Sequence, residues 1–174
     1  GIVGLESGDF LFFHYSGHGT QVRDRDGDEP DGLDEAIYTR HGVVTDDEIA
    51  KVVGSIPAGV TVVMIFDCCN SGTICDLPYR FISQTYNLKE RSKPFLADII
   101  TVVGCRDNQT SADAYIAERK GNYGALTSTL VKLIETQKTD GLNWKTLCTQ
   151  LQNILKRGGY TQIPQLSSNK EELF

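Results

Sequence analysis

No apolar run in the 174 residues approaches the ~20 that a membrane-crossing helix needs, so the sequence offers no helical membrane span. The start lacks the charged, apolar and small-residue order of a secretory signal, and a cytoplasmic location is expected. No C-x-x-C unit occurs among the five cysteines (Cys68, Cys69, Cys75, Cys105, Cys148), which removes the usual zinc-ligand spacing. An odd number with an adjacent pair suits reduced thiols better than a disulfide framework. Positive charge is also short. Seventeen Lys and Arg stand against 23 Asp and Glu, a net charge of −6 that disfavours non-specific nucleic-acid binding and suits cationic ligands. Neither a nucleic-acid nor a membrane partner is expected. There is no internal repeat and no low-complexity tract. An EF-hand is missing as well. Asp24, Asp26, Asp28 and Glu35 have its spacing, but Glu29 replaces the obligatory glycine, Pro30 follows, and no amphipathic helix precedes.

What is present is the material of one α/β domain. With 40% hydrophobic and 23% charged residues, the chain can bury a single core. Asp9–Tyr15, Val60–Phe66 and Ala97–Val103 read as buried strands, the second strongly β-branched. Ala36–Tyr38 is a short extended piece, and Gln165–Ser167 a last short strand. Thr45 can cap a helix that opens with Asp46-Asp47-Glu48, where acids meet the positive end of the helix dipole. Gly54 and Pro57-Ala58-Gly59 end that helix. Apolar stripes at helical spacing mark Ala125–Thr136 and Trp144–Leu155. Thr20–Glu35 reads as a polar loop, and Leu77–Pro94 as a polar connection without a clear period. Alternating strands and helices indicate a mostly parallel sheet with helices on its faces.

Two strand ends carry the chemistry. Leu11-Phe12-Phe13-His14-Tyr15 breaks into Ser16-Gly17-His18-Gly19, and Val60–Phe66 breaks into Asp67-Cys68-Cys69-Asn70-Ser71-Gly72. Reactive groups in open α/β sheets collect past the carboxyl ends of strands. If the two strands are neighbours, His18 and Cys69 form a base–nucleophile dyad. Small residues around each allow sharp turns. The backbone N–H groups of Gly19 and Cys69 are candidates for an oxyanion hole. No third member of a triad is evident.

These motifs resemble the two signatures of the metacaspases, the caspase-related cysteine peptidases. The similarity continues through Asp31–Tyr38, Asp46-Asp47-Glu48, Gly104–Asp113, Gly124-Ala125-Leu126-Thr127 and Gln162–Ser168, in the family's order. The short connection resembles the type I arrangement. The resemblance implies a caspase-like three-layer sandwich with a mostly parallel central sheet. It implies one peptidase domain over 1–174: a large-subunit-like region (1–80), a linker (81–94) and a small-subunit-like region (95–174). The N-terminal part of the fold, including a central strand, is expected to be absent from this chain and supplied by the same protein or a second chain. Asn70 stands where the family usually has His, and the Q-A-C-x-G signature of true caspases is missing.

The resemblance also implies site residues. Cys69, not Cys68, is the attacking thiol, and strand alternation sends Cys68 inward. Ser16 and Asp67 match substrate-binding positions, Asp67 as the negative wall for an Arg or Lys before the scissile bond. Capping of the next turn is the plainer role for Asp67. Asp34, Asp46, Asp47 and Asp76 match aspartates that hold a low-affinity, activating Ca²⁺. Arg80, Lys89, Arg91 and Lys93 are candidate self-cleavage points in the 77–94 connection. The expected function is a calcium-dependent, autoprocessing cysteine endopeptidase acting on proteins or peptides after Arg or Lys. The alternative is a catalytically silent relative that serves as a binding or scaffold module.

Overall fold

Residues 61–67 alternate Val62, Met64 and Phe66 against Val63 and Ile65, and both sets are buried. A strand covered on both faces reads as an unbroken apolar run, as this one does. The computed structural model describes residues 4–25, 27, 32–68, 74, 77–82, 85–88, 95–104, 113–116, 121–136 and 142–174. Its strands are β1 (Phe10–Ser16), β2 (Gly19–Arg23), β3 (Leu33–Thr39), β4 (Gly42–Thr45), β5 (Thr61–Asp67), β6 (Tyr79–Ile82), β7 (Thr85–Leu88), β8 (Asp98–Val103), β9 (Asp113–Ile116), β10 (Gly121–Gly124) and β11 (Gln165–Ser168). Its α-helices are α1 (Asp46–Gly54), α2 (Ala125–Thr136) and α3 (Trp144–Arg157), and Glu171–Leu173 forms a short 3₁₀ helix.

The central sheet has the order β1-β5-β8-β11-β6-β7. β1, β5 and β8 are parallel, and β11 runs antiparallel between β8 and β6. On one face Val63, Ile65 and Val102 pack with Leu126, Leu130 and Leu133 of α2 and Leu151 of α3. On the other, Val62, Met64 and Phe66 pack with Val53 of α1, Ile37 of β3, and Ile56. The result is three layers around a mainly parallel sheet.

Burial of the leucine side chains contributes about 1.5–3 kcal/mol each, so packing rather than propensity docks α2 and α3. Caps set where the helices begin. The Thr45 hydroxyl accepts the Glu48 N–H, and the Glu48 carboxylate accepts the Thr45 N–H, a complete capping box. Asn143 accepts the Thr146 N–H and starts α3.

Two expected irregular segments are partly strand. Within the expected 20–35 loop, β2 pairs antiparallel with β3, which pairs with β4, so the short piece at Ala36–Tyr38 lies inside a three-stranded sheet. Thr20-Gln21-Val22-Arg23 has one strongly apolar residue, and its strand state comes from pairing rather than patterning. Within the expected 77–94 connection, β6 and β7 form an antiparallel pair, and Phe81 pairs with Leu166. The regions before and after the connection therefore share one sheet.

β1 is the edge strand of the described sheet. Phe10 and Phe12 are 62% and 55% exposed on one side of it. On the other side lies a cavity of about 720 Å³ lined by Leu11, Phe13, Ile37, Val44, Ile49 and Met64 among others.

Candidate active site

β1 and β5 are paired in parallel register from Phe10↔Thr61 to Ser16↔Asp67, so both end at the same level. The Gly17 N–H donates to the Asp67 carbonyl at 3.3 Å, which extends the pairing by one step. His18 follows the end of β1 by two residues, and Cys69 follows the end of β5 by two. The adjacent-strand arrangement that a dyad needs is thus present. Cys69 itself, as nucleophile and as oxyanion-hole donor, lies outside the described residues. Cys68 is fully buried among Phe66, Met64, Ile74 and Leu77, as alternation requires. Cys148 is also buried, and burial pushes its thiol up to about 12, so it is inert at neutral pH.

The loop bearing His18 is held from behind. Its carbonyl accepts the Tyr38 N–H at 3.0 Å. The Tyr15 hydroxyl lies 2.9 Å from the same carbonyl and 2.8 Å from that of Tyr38, and its one proton is shared between them. Burial, and after it the neighbouring Cys68, raise the Tyr15 phenol above its ordinary value, so it stays a neutral donor. Gly17 has no positive φ; a Cβ there would come 2.6 Å from the Tyr15 oxygen. Space, not backbone conformation, demands glycine at that position. His18 is exposed, and Gly19 opens β2 opposite Ile37.

Asp67 and Ser16 end the two strands side by side. Ser16 is exposed, whereas Asp67 is 2% exposed. Asp67 Oδ2 accepts the Thr127 N–H at 2.6 Å, in the first turn of α2. Oδ1 is buried with no hydrogen-bond partner among the described residues. Asp67 thus caps a distant helix; the turn that follows it, which it was expected to cap, lies outside the described residues. Thr127 Oγ1 is also 3.0 Å from His14 Nε2.

Three of the four expected calcium ligands meet. Asp34, Asp46 and Asp47 each offer a carboxylate oxygen, and these lie within 4.8 Å of one another. Strand β3 brings Asp34, and the capped start of α1 brings the other two. Asp34 and Asp46 are buried, and Asp46 Oδ1 accepts the Asp47 N–H at 2.8 Å. Grouped hard oxygens suit a hard divalent cation. Asp76 lies outside the described residues. Asp24 is used locally, accepting the Gly27 N–H at 2.7 Å; Asp26 and Asp28 lie outside them.

Arg80 is half-buried in β6, paired on both sides by β11 and β7. Its expected place in an open connection is thus corrected to a paired strand. Lys89, Arg91 and Lys93 lie outside the described residues. Tyr15, Gly124 and Thr127 are site residues that no expectation assigned. Tyr15 and the Gly124–Thr127 run were visible as motifs, but their partners lie on other elements.

Comparison with known proteins gives a consistent family. Residues 2–78 match the model of the metacaspase, peptidase C14 domain. Metacaspase-2 of Trypanosoma brucei brucei is 36% identical over 182 residues, covering 94% of this chain and 52% of its own length. Metacaspase-1 of Arabidopsis thaliana is 34% identical over 173 residues, covering 91% and 47%. The crystal structure of protein GSU0716 from Geobacter sulfurreducens superposes with a TM-score of 0.66 at 29% identity, over 95% of this chain and 67% of that one. The chain spans about half the length of the curated relatives it matches.

Proposed function

The chain belongs to the metacaspase family of cysteine-type peptidases, and on that premise we propose that it carries the catalytic part of a calcium-dependent endopeptidase that cleaves after Arg or Lys. The observation that carries the proposal is the common end of β1 and β5, with His18 and Cys69 each two residues beyond it. In the proposed reaction His18 takes the Cys69 proton, and the thiolate attacks the scissile carbonyl carbon. The backbone N–H groups of Gly19 and Cys69 hold the developing oxyanion. As the C–N bond breaks, His18 returns its proton to the leaving amine. Water, deprotonated by His18, then hydrolyses the thioester.

Specificity rests on Asp67. A buried carboxylate with one oxygen unsatisfied among the described residues favours a guanidinium or ammonium partner and repels a carboxylate. Ser16 stands beside it at the strand end. Fluorogenic peptides identical but for Arg, Lys or Asp before the scissile bond test this. Arg and Lys peptides should be cleaved at least about 10²-fold faster than the Asp peptide, a difference of about 2.7 kcal/mol. Equal rates, or an Asp preference, would reject the pocket.

Asp34, Asp46 and Asp47, with Asp76, would hold the activating Ca²⁺, which supplies charge that draws their loops together. Self-processing belongs to the same reading. It should fall after Lys89, Arg91 or Lys93 rather than after Arg80, whose backbone is paired on both sides. Mass spectrometry of calcium-treated protein checks this, and a cut after Arg80 alone would contradict it.

The open edge of β1, its exposed Phe10 and Phe12, and the neighbouring apolar cavity support packing by the N-terminal part of the fold or by a second chain. A cytoplasmic, reducing location completes the reading. It fits the buried, reduced cysteines Cys68 and Cys148.

A further inference from the structure

We propose that the start of α2 is the positioning element of the primary specificity pocket, with Gly124 and Thr127 fixing Asp67 so that only its Oδ1 faces the substrate. This rests on the reading that Asp67 receives the Arg or Lys. Four observations converge on the Asp67 carboxylate. The Thr127 N–H holds Oδ2 at 2.6 Å. A Cβ at Gly124 would overlap Oδ2 and Cγ, and one at Gly104 would come 3.2 Å from Oδ1. Neither glycine has a positive φ, so conformation does not require glycine at either place. Oδ1 alone is left buried and without a hydrogen-bond partner among the described residues.

The two glycines thus leave room for a carboxylate in one pose, and the helix amide selects it. Thr127 is steadied in turn by the contact between its hydroxyl and His14 Nε2. A purely structural cap would not need Oδ1 left bare, because the Thr127 amide uses one oxygen only. A charge-assisted bond to a buried carboxylate is strong and directional, so a small displacement of Oδ1 weakens it. Gly124 and Thr127 are positioning residues. They act through Asp67 and touch no reacting atom.

The test uses the full chain and three variants, Asp67→Asn, Gly124→Ala and Gly104→Ala. Two readouts are compared: steady-state kinetics on an Arg peptide, and the rate at which iodoacetamide alkylates Cys69, which needs no specificity pocket. Asp67→Asn keeps an oxygen for the Thr127 N–H but loses the charge, and should raise KM at least tenfold (~1.4 kcal/mol). Gly124→Ala should also raise KM roughly tenfold or more, with kcat within about threefold and the alkylation rate unchanged. Gly104→Ala, whose Cβ is only tight against Oδ1, should raise KM by a smaller factor, about threefold. If Asp67→Asn leaves KM unchanged, the pocket reading itself falls. If Asp67→Asn raises KM but Gly124→Ala does not, the positioning role alone falls. Should Gly124→Ala not fold, Gly104→Ala decides: a raised KM with normal alkylation supports the proposal, and an unchanged KM overturns it.

Discussion

Replacing Cys69 by Ala should lower peptide cleavage by at least about 10⁴-fold, the scale on which loss of a covalent nucleophile acts. Cys68→Ala, one residue away, should leave kcat within a few-fold and appear in stability instead. The contrast follows from β5. Val62, Met64, Phe66 and Cys68 fill the face toward α1, whereas Asp67 faces α2 and the strand end shared with Ser16. Cys68 is fully buried, and truncating it removes one large atom from a packed cluster. The cost is about 1 kcal/mol, of the order of one buried methylene. At this chain length that corresponds to a fall in Tm of about 2–4 °C. Activity assays and thermal melts of the two variants separate the roles. Full activity in Cys69→Ala would move the nucleophile elsewhere.

The second large effect is expected at the acidic cluster. Neutralising Asp46 and Asp47 together should raise the calcium needed for half-maximal activity by at least about tenfold, since ligand charge tunes affinity for this hard ion. Asp34, Asp46 and Asp47 converge from β3 and from the start of α1. Unscreened, their mutual repulsion opposes that convergence. Strand β3 also carries Tyr38, whose N–H holds the His18 carbonyl. A cation that steadies β3 would therefore steady the base as well. Neutralising Asp24 and Asp26 should shift the calcium requirement by less than about twofold, because that spacing lacks the glycine an EF-hand loop needs. Calcium titrations of the two double variants decide between the clusters, and the reverse pattern would select the wrong-looking loop.

Residues 60–66 and 97–103 were legible as strands because a sheet covered on both faces demands nearly continuous apolar, β-branched runs, and both segments supply them despite Thr61, Asp98 and Thr101. α1 was legible from Thr45 and the acids after it, and α2 and α3 from their apolar stripes. β2, β6 and β7 were not legible. Gly19–Arg23 has too little apolar patterning to announce itself and is held by its pairing with β3, while β6 pairs with β11 more than eighty residues later. The same limit applies to the site. The adjacency of the two strands that lead to His18 and Cys69 could be argued because two similar strand ends announce it. The partner of Asp67 could not, since Thr127 lies 60 residues away on a helix whose docking is decided by Leu126, Leu130 and Leu133. Tyr15 stood in plain view, but its hydroxyl acts on His18 and Tyr38 only once β3 is in place.

The most direct measurement is covalent labelling of the full chain, with calcium present, by a peptide that ends in Arg and carries an electrophilic carbonyl group. Mass spectrometry then locates the adduct. The dyad reading requires one adduct on Cys69, lost in His18→Ala and absent when Asp replaces the Arg of the peptide. An adduct on Cys68 or Cys148, or no adduct at all with calcium present and the protein folded, would contradict it and favour a catalytically silent relative.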